Sequence, residues 1–284
     1  HPSESDDPSF TMGGCWAGLA YCDPHTQEIR PATSSDVAQM CRLWDARGLH
    51  GVEPLLPGDP PPALITLTAE RIALEESRYL GGELSVLDPE EVRYLIDMSL
   101  AAGRRYRLME EICISPLRVN DHALDTAIQF MYDPDVEVII SGSIPTVGAT
   151  CPLDARSALA QVVAERLVLC LLCELYEQPI PGLGVRLEPF DLQYAAIVFG
   201  SPEWCLLRAL VIQMTEHLTR RPMRAAKFRS VAKRPNAHAA TERTACVLWQ
   251  ALMGGRHFTG VGQLSVDEVF SPQQAVIDRE ILSY

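Results

Sequence analysis

Over most of the chain, short apolar runs alternate with longer stretches whose apolar positions recur at helical spacing. Asp88-Pro89-Glu90-Glu91 sets a capping carboxylate, a first-turn proline and an acidic third helical position, and predicts a helix to about Gly103. Ile112 to Ser115 reads as a short strand ending at Pro116, and Asn120 caps a predicted helix through Tyr132. Val136 to Ile140 is the β-branched run expected of a strand covered on both faces. A helix from about Asp154 to Tyr176 follows, then a strand near Leu183 to Leu187. Ser201-Pro202-Glu203 starts a helix that stops before Pro222. Ala225 to Ser230 predicts a strand, Ala237 to Met253 a helix and His257 to Val261 a strand. Ser271-Pro272-Gln273-Gln274 is a capping box with proline in the first turn, so a last helix is expected.

Repeated strand, loop and helix is the pattern of parallel α/β architecture. No strand is followed by GxGxxG, which disfavours a dinucleotide fold. The expectation is a (β/α)8 TIM-type barrel, about five or six units of which are visible, lacking some terminal elements. It forms one domain over residues 11–284, after a mobile arm over 1–10 rich in proline and acid. Gly51 to Pro62, with five prolines, reads as a surface connection. Functional groups in such barrels sit at the carboxyl ends of strands. Those places are Ser115-Pro116, Ser141 to Thr150, Glu188 to Tyr194, Arg229 to Asn236 and Thr259 to Gln263.

Composition narrows the partners. The 284 residues are 47% hydrophobic with a net charge of −13, too apolar for disorder and too acidic for a nucleic-acid binder. The longest apolar run, Leu167 to Leu172, falls far short of a membrane span and is flanked by Glu165, Arg166 and Glu174. Nine scattered cysteines suit reduced thiols in the cytoplasm. Cys170 and Cys173 share one apolar helix face and read as core, while Cys15, Cys22 and His25 lack a fourth ligand at finger-like spacing. No bound metal and no disulfide are expected. The chain opens on His1 without an initiator Met or a signal pattern, as expected of a processed or partial chain.

No Ser/His/Asp order, HExxH or phosphate loop is present. His238 and Glu242, four apart on a helix, read as a surface pair rather than metal ligands. The loop Glu188-Pro189-Phe190-Asp191-Leu192-Gln193-Tyr194 holds two carboxylates and two rings. Glu203 lies in a first helical turn, where the dipole stabilises a carboxylate. Trp204 beside it reads as core.

Four segments carry a joint signal: Ile144 to Pro152 (IPTVGATCP), Phe199 to Glu203 (FGSPE), Lys233 to Glu242 (KRPNAHAATE), and Gly260-Val261-Gly262-Gln263-Leu264 running on to Asp278-Arg279-Glu280-Ile281. In order and spacing they resemble the trimethylamine methyltransferase family, over about Thr11 to Ile281. The family's Lys-x-Pro-Asp-x-Gln-Ala-x-x-Glu pattern meets Asn236 and His238 where Asp and Gln are expected. Thr259 stands where many relatives have a His, with His257 two residues earlier. All residues are standard, so the resemblance is to the nonpyrrolysine branch.

The resemblance implies transfer of a methyl group from a quaternary or tertiary amine, glycine betaine-like, to the cobalt of a separate corrinoid protein, as in methanogenesis-related methylamine metabolism. No cofactor is held tightly; the corrinoid (cobalamin) comes with the partner. Reduced cobalt supplies the electron pair and the amine leaves neutral, so the enzyme's tasks are positioning, desolvation and stabilising a cation. Aromatic faces and carboxylates serve these tasks, each ring contributing roughly 0.5–2 kcal/mol. The residues implied are Glu203 and Asp191 as catalytic carboxylates, with Phe190, Tyr194, His257, Thr259 and Arg229 binding substrate. A second reading is a catalytically silent barrel that binds a methylated amine or a protein partner. A third is an unrelated barrel lyase using Lys227 or Lys233. A homo-oligomer is compatible with any of them.

Overall fold

The computed structural model describes residues 10–14, 18–49, 55–78, 86, 88–179 and 186–284. Residues 1–9 of the predicted arm, the start of the proline-rich connection, Cys15 and the strand residues Leu183 to Val185 lie outside them. In chain order the elements are β1 (Thr11–Met12), β2 (Ala20–Cys22), β3 (Ile29–Pro31), α1 (Ser34–Arg47), α2 (Ile65–Glu76), α3 (Pro89–Ala101), β4 (Tyr106–Ile114) and β5 (Arg118–Val119). They continue with α4 (Asp121–Phe130), β6 (Val136–Gly142), β7 (Thr146–Val147), α5 (Ala155–Leu175), β8 (Glu188–Asp191), β9 (Ala196–Ile197) and α6 (Pro202–Thr219). The last are β10 (Ala225–Lys227), α7 (Ala237–Leu252), β11 (His257–Thr259), β12 (Gln263–Leu264), β13 (Val269–Phe270) and α8 (Pro272–Ser283).

Local chemistry sets most helix starts. Asp88, Asn120, Asp154, Ser201, Asn236 and Ser271 each accept a hydrogen bond from a backbone N–H of the first turn. Strand β4 is longer than the predicted Ile112 to Ser115, because Arg107 and Glu111 break the apolar run that the sequence reading followed. Both lie on the face of β4 opposite Tyr106 and Leu108, where Arg107 pairs with Glu137 of β6 at 3.4 Å.

Parallel pairing links β4 to β6, β7 to β8, and β10 to β11 to β1. The last sheet joins the two ends of the chain: Thr11 pairs with His257 and Met12 with Phe258. One face of each strand is packed by helices. Ala226, Phe228 and Phe258 are buried with Met40 and Trp44 of α1, Ile72 of α2 and Val247 of α7. Tyr106, Leu108, Val136, Val138 and Ile140 are buried with α3, α4 and α5, and Leu187 with α5 and α6. Each such fully covered side chain contributes about 1.5–3 kcal/mol. Side chains alternate along strands, so Glu188, Lys227, Arg229 and Thr259 belong to the opposite face. No helix among the described residues is long and apolar enough to cross a membrane.

Candidate functional site

Glu188 opens β8 and is buried, and Trp204 of α6 donates its indole N–H to the carboxylate at 2.5 Å. Burial pushes the Glu188 carboxyl above its ordinary range, against the pull of Arg229, Arg208 and Lys227. Arg208, from α6, is 7% exposed and donates to Gln250 Oε1 at 3.3 Å and to the Ala225 carbonyl at 2.7 Å. Gln250 in turn accepts from the Lys227 N–H and donates to the Lys227 carbonyl, fixing β10 against α7. Burial and the neighbouring Arg229 and Arg186 bring Arg208 down to about 10, with Glu188 opposing.

Arg229 follows β10 and is 1% exposed. Its guanidinium lies over the Phe199 ring, 4.3 Å from the centroid. It donates through Nη1 to Asp267 at 3.1 Å and to Gln263 at 3.5 Å. Glu188, Arg208, Lys227 and Arg229 thus form one electrostatically linked cluster, brought together from β8, α6 and β10.

The sequence motifs meet beside it. Phe199 stacks on Arg229, and Gly200 lies against Glu242. A Cβ at Gly200 would sit 2.9 Å from the Glu242 side chain, on a backbone with φ of +77°. Glu242 accepts from Ser230 Oγ at 2.6 Å and from the Val231 N–H at 3.0 Å, and pairs with His238 at 2.9 Å. Next along α7, Arg243 is fully buried and donates through Nε and Nη2 to both oxygens of Asp278, each at 2.6 Å. Arg243 also holds the carbonyls of Gly260 and Gln263, and Asp278 accepts from the Gly262 N–H at 2.7 Å and Gln274 at 2.9 Å. Gly260, at φ +91°, brings a Cβ position within 2.7 Å of the Phe228 carbonyl. The loop Gly260 to Gln263 is therefore bound to α7 and α8 and packed against Phe228, just after β10.

A model of the trimethylamine methyltransferase (MTTB) family matches residues 87–284, which include all of these groups. The chain belongs to that family. Among its relatives, trimethylamine methyltransferase MttB of Desulfitobacterium hafniense (strain DSM 10664 / DCB-2) is 27% identical over 286 aligned residues, covering 93% of this chain and 55% of that protein. MttB of Methanosarcina barkeri (strain Fusaro / DSM 804) is 31% identical over 174 residues, 60% of this chain and 34% of that protein. The chain spans about half the length of the first of these relatives and less of the second. Dihydropteroate synthase of Stenotrophomonas maltophilia superposes with a TM-score of 0.51 at 15% identity, over 98% of this chain and 91% of that one. The enzyme of Xanthomonas albilineans gives a TM-score of 0.51 at 15% identity, over 98% and 92%. At that identity the likeness shows the fold alone, an α/β fold with TIM-barrel-type neighbours.

In this member of the trimethylamine methyltransferase family, the predicted site residues have distinct settings. Phe190 is half-buried in β8, opposite Ile197 of β9. Asp191 accepts from the N–H groups of Gln193 at 2.7 Å and Tyr194 at 3.2 Å, closing the β8–β9 hairpin turn. Tyr194, at the hairpin tip, is 74% exposed. Glu203 is exposed in the first turn of α6; a backbone N–H and the Ser201 hydroxyl hold its carboxyl below the ordinary range. Thr259 ends β11, half-buried, whereas His257 begins it and is exposed, its Nδ1 2.6 Å from the Thr11 hydroxyl. His257 and Thr259 thus lie toward opposite ends of one strand.

Arg229 is the predicted residue that the structure joins to a buried charged cluster. The sequence reading left out Glu188 as a buried acid, and Arg208 and Arg243 altogether. Arg208 had a usable signal: a lone cation within the apolar helical run Trp204 to Met214 either points out or is paired inside. For Arg243 the partner lies 35 residues away, and no local pattern announces it.

Proposed function

We propose that this chain catalyses, or forms the core of a protein that catalyses, methyl transfer from a quaternary or tertiary methylated amine to the cobalt of a separate corrinoid protein. What supports the reading is the convergence of the family's motifs on one buried charged cluster where β8, β10 and β11 meet α6 and α7. In this reading residues 11–284 form one closed (β/α)8 barrel. The parallel pairing of β1 with β11 favours closure, since it sets strands far apart in sequence side by side in one sheet.

The corrinoid's reduced cobalt would supply the electron pair for the new bond to the methyl carbon; the amine, a quaternary ammonium or a tertiary amine bound in its protonated form, keeps the pair of the broken C–N bond and leaves neutral. No protein base is required. The chain orients the amine and excludes water. We assign the rings of Phe190 and Tyr194 to the methyl groups, Asp191 and Glu203 to the ammonium charge, and Thr259 and Arg229 to the remainder of the substrate; His257, exposed at the amino end of β11 and bonded to Thr11, is left out of the site. The β8–β9 hairpin carries three of these. The free thiols of the described cysteines suit a reducing cytoplasm.

The test is to incubate the protein with a Co(I) corrinoid protein and glycine betaine, trimethylamine or tetramethylammonium, and to quantify the demethylated amine by mass spectrometry. Stoichiometric demethylation of at least one amine, dependent on the corrinoid protein, is expected. Binding without demethylation would instead identify a silent barrel.

A further inference from the structure

We infer that Arg229 forms an internal anion site, and that its ligand is a carboxylate carried by the substrate at the end opposite the methylated nitrogen. Two buried atoms point to it. The Nε and Nη2 of Arg229 have no hydrogen-bond partner, although the residue is only 1% exposed. These two nitrogens share one edge of the guanidinium, the edge that holds both oxygens of a carboxylate in parallel. The remaining nitrogen, Nη1, is taken by Asp267 and Gln263, and one face of the plane is covered by Phe199. The guanidinium is therefore held in a fixed orientation with its two-toothed edge unused.

The charge around it asks for an anion. Lys227 shares the strand face of Arg229, and Arg208 and Glu188 couple to it electrostatically. Arg186 couples to Arg208 on one side and to Arg166 on the other. Burial and these like charges bring both Arg166 and Arg208 down to about 10. Carboxylates coupled or bonded to these cations include Glu188, Asp267 and Glu165. Burial works against the charged form of Glu188, and Glu165 is already engaged by Ser115 and Gln161. In a protein with a net charge of −13, buried Arg208 and Arg229 beside half-buried Lys227, Arg186 and Arg166 make this a locally cation-rich region. A carboxylate on the Arg229 edge satisfies both donors and balances the field.

The inference deepens the methyl-transfer reading, since it selects amines that also carry an acid group, but the anion site itself does not depend on that chemistry. Calorimetry separates the two. Glycine betaine carries both charges. 3,3-Dimethylbutyrate keeps its shape and carboxylate with carbon in place of nitrogen, glycine betaine methyl ester keeps only the cation, and inorganic phosphate tests a different anion. Glycine betaine and 3,3-dimethylbutyrate are expected to bind, each at least about 10-fold more tightly than the ester or phosphate. Arg229→Lys keeps the charge and loses the paired edge; it should weaken both carboxylates about 10- to 100-fold and leave the ester unchanged. Asp267→Asn removes the competing carboxylate without touching the open edge, and should tighten both carboxylates; it serves if Arg229→Lys does not fold. The inference is overturned if the ester or phosphate binds as tightly as glycine betaine, if 3,3-dimethylbutyrate does not bind, or if the variants leave carboxylate affinity unchanged. Carboxylate binding through Arg229 with no demethylation of any amine would sink the methyl-transfer reading and leave the anion site standing.

Discussion

Replacing Asp278 by Asn should be among the most damaging conservative changes in the chain. Asp278 is fully buried and accepts four hydrogen bonds, two from Arg243 at 2.6 Å and one each from the Gly262 N–H and Gln274. Asparagine keeps the shape but carries no charge, so Arg243 is left as a buried cation without its counter-ion. Breaking such a pair costs about 3–5 kcal/mol, most of it the desolvation of the surviving charge. That is a large share of the roughly 5–15 kcal/mol that holds a domain folded. Removing both charges in Arg243→Met, Asp278→Leu should cost clearly less than the sum of the two single changes, since no lone charge remains. The double variant still strands the carbonyls of Gly260 and Gln263 and the Gly262 N–H, at about 1–3 kcal/mol each at most. Urea denaturation followed by tryptophan fluorescence reads the four proteins of the cycle and Asp278→Asn. A loss below about 1 kcal/mol for Asp278→Asn, or additive single losses, would refute the reasoning.

Three further outcomes are expected. Glu110 is 1% exposed with Oε1 unpartnered, and burial raises it to about 7, so its contribution is fully present below about pH 4.5 and is lost as pH rises through 7. Glu110→Gln should therefore gain up to about 3 kcal/mol relative to the parent at pH 8.5 and little at pH 4.5, and an equal difference at both pH values would refute this. Cys205 is held below the ordinary thiol range by a hydrogen bond with Cys246, whereas burial raises Cys22, Cys41, Cys113, Cys151, Cys170 and Cys173. Mass spectrometry after brief alkylation at pH 7.5 should find Cys205 labelled ahead of those six, and Cys246→Ala should slow it several-fold. Asp191→Asn retains a side-chain oxygen for the Gln193 and Tyr194 N–H groups, so the hairpin survives; binding of glycine betaine should fall more than binding of 3,3-dimethylbutyrate, and an equal fall would leave Asp191 as a turn residue only.

Helix starts were legible because capping is local. Asp88-Pro89, Ser201-Pro202 and Ser271-Pro272 each announce a helix within four residues, and the observed starts fall where those dipeptides put them. Helix α1 carries a capping box between Thr33 and Asp36 that the sequence reading passed over, because its third helical position is Asp rather than the more usual Glu or Gln. Strands were legible only on their helix-packed side. Val136 to Ile140 stood out, whereas the first half of β4 did not, since Arg107, Glu110 and Glu111 interrupt it and their settings are tertiary. The charged cluster was the least legible part. Glu188, Arg208 and Arg229 are ordinary polar residues in their own segments, and become a site only when β8, α6 and β10 are brought together.

The same contrast bears on what the family motifs mean. Gly200 and Glu242 pack against each other, Gly260 and Gly262 shape a loop, and Asp278 anchors that loop through Arg243. These residues build the frame around the site, with side chains already engaged by the protein. Two of the three departures from the family pattern fall within that frame and preserve it: Asn236 caps α7 by accepting from the Ala239 N–H at 3.0 Å, and His238 pairs with Glu242. Neither reaches the buried charges. On the reading proposed above, likeness in these motifs reports chiefly on shape, and substrate choice rests with Glu203 inside one motif and with residues outside them. Of the cluster, Glu188, Arg208, Lys227 and Arg229 all lie outside the four motif segments, while Phe199, which covers one face of Arg229, lies inside one. If Arg229 holds the substrate carboxylate as inferred above, a relative keeping every motif takes a different amine by changing Arg229 alone, because the frame that orients the guanidinium is independent of the edge that it leaves open.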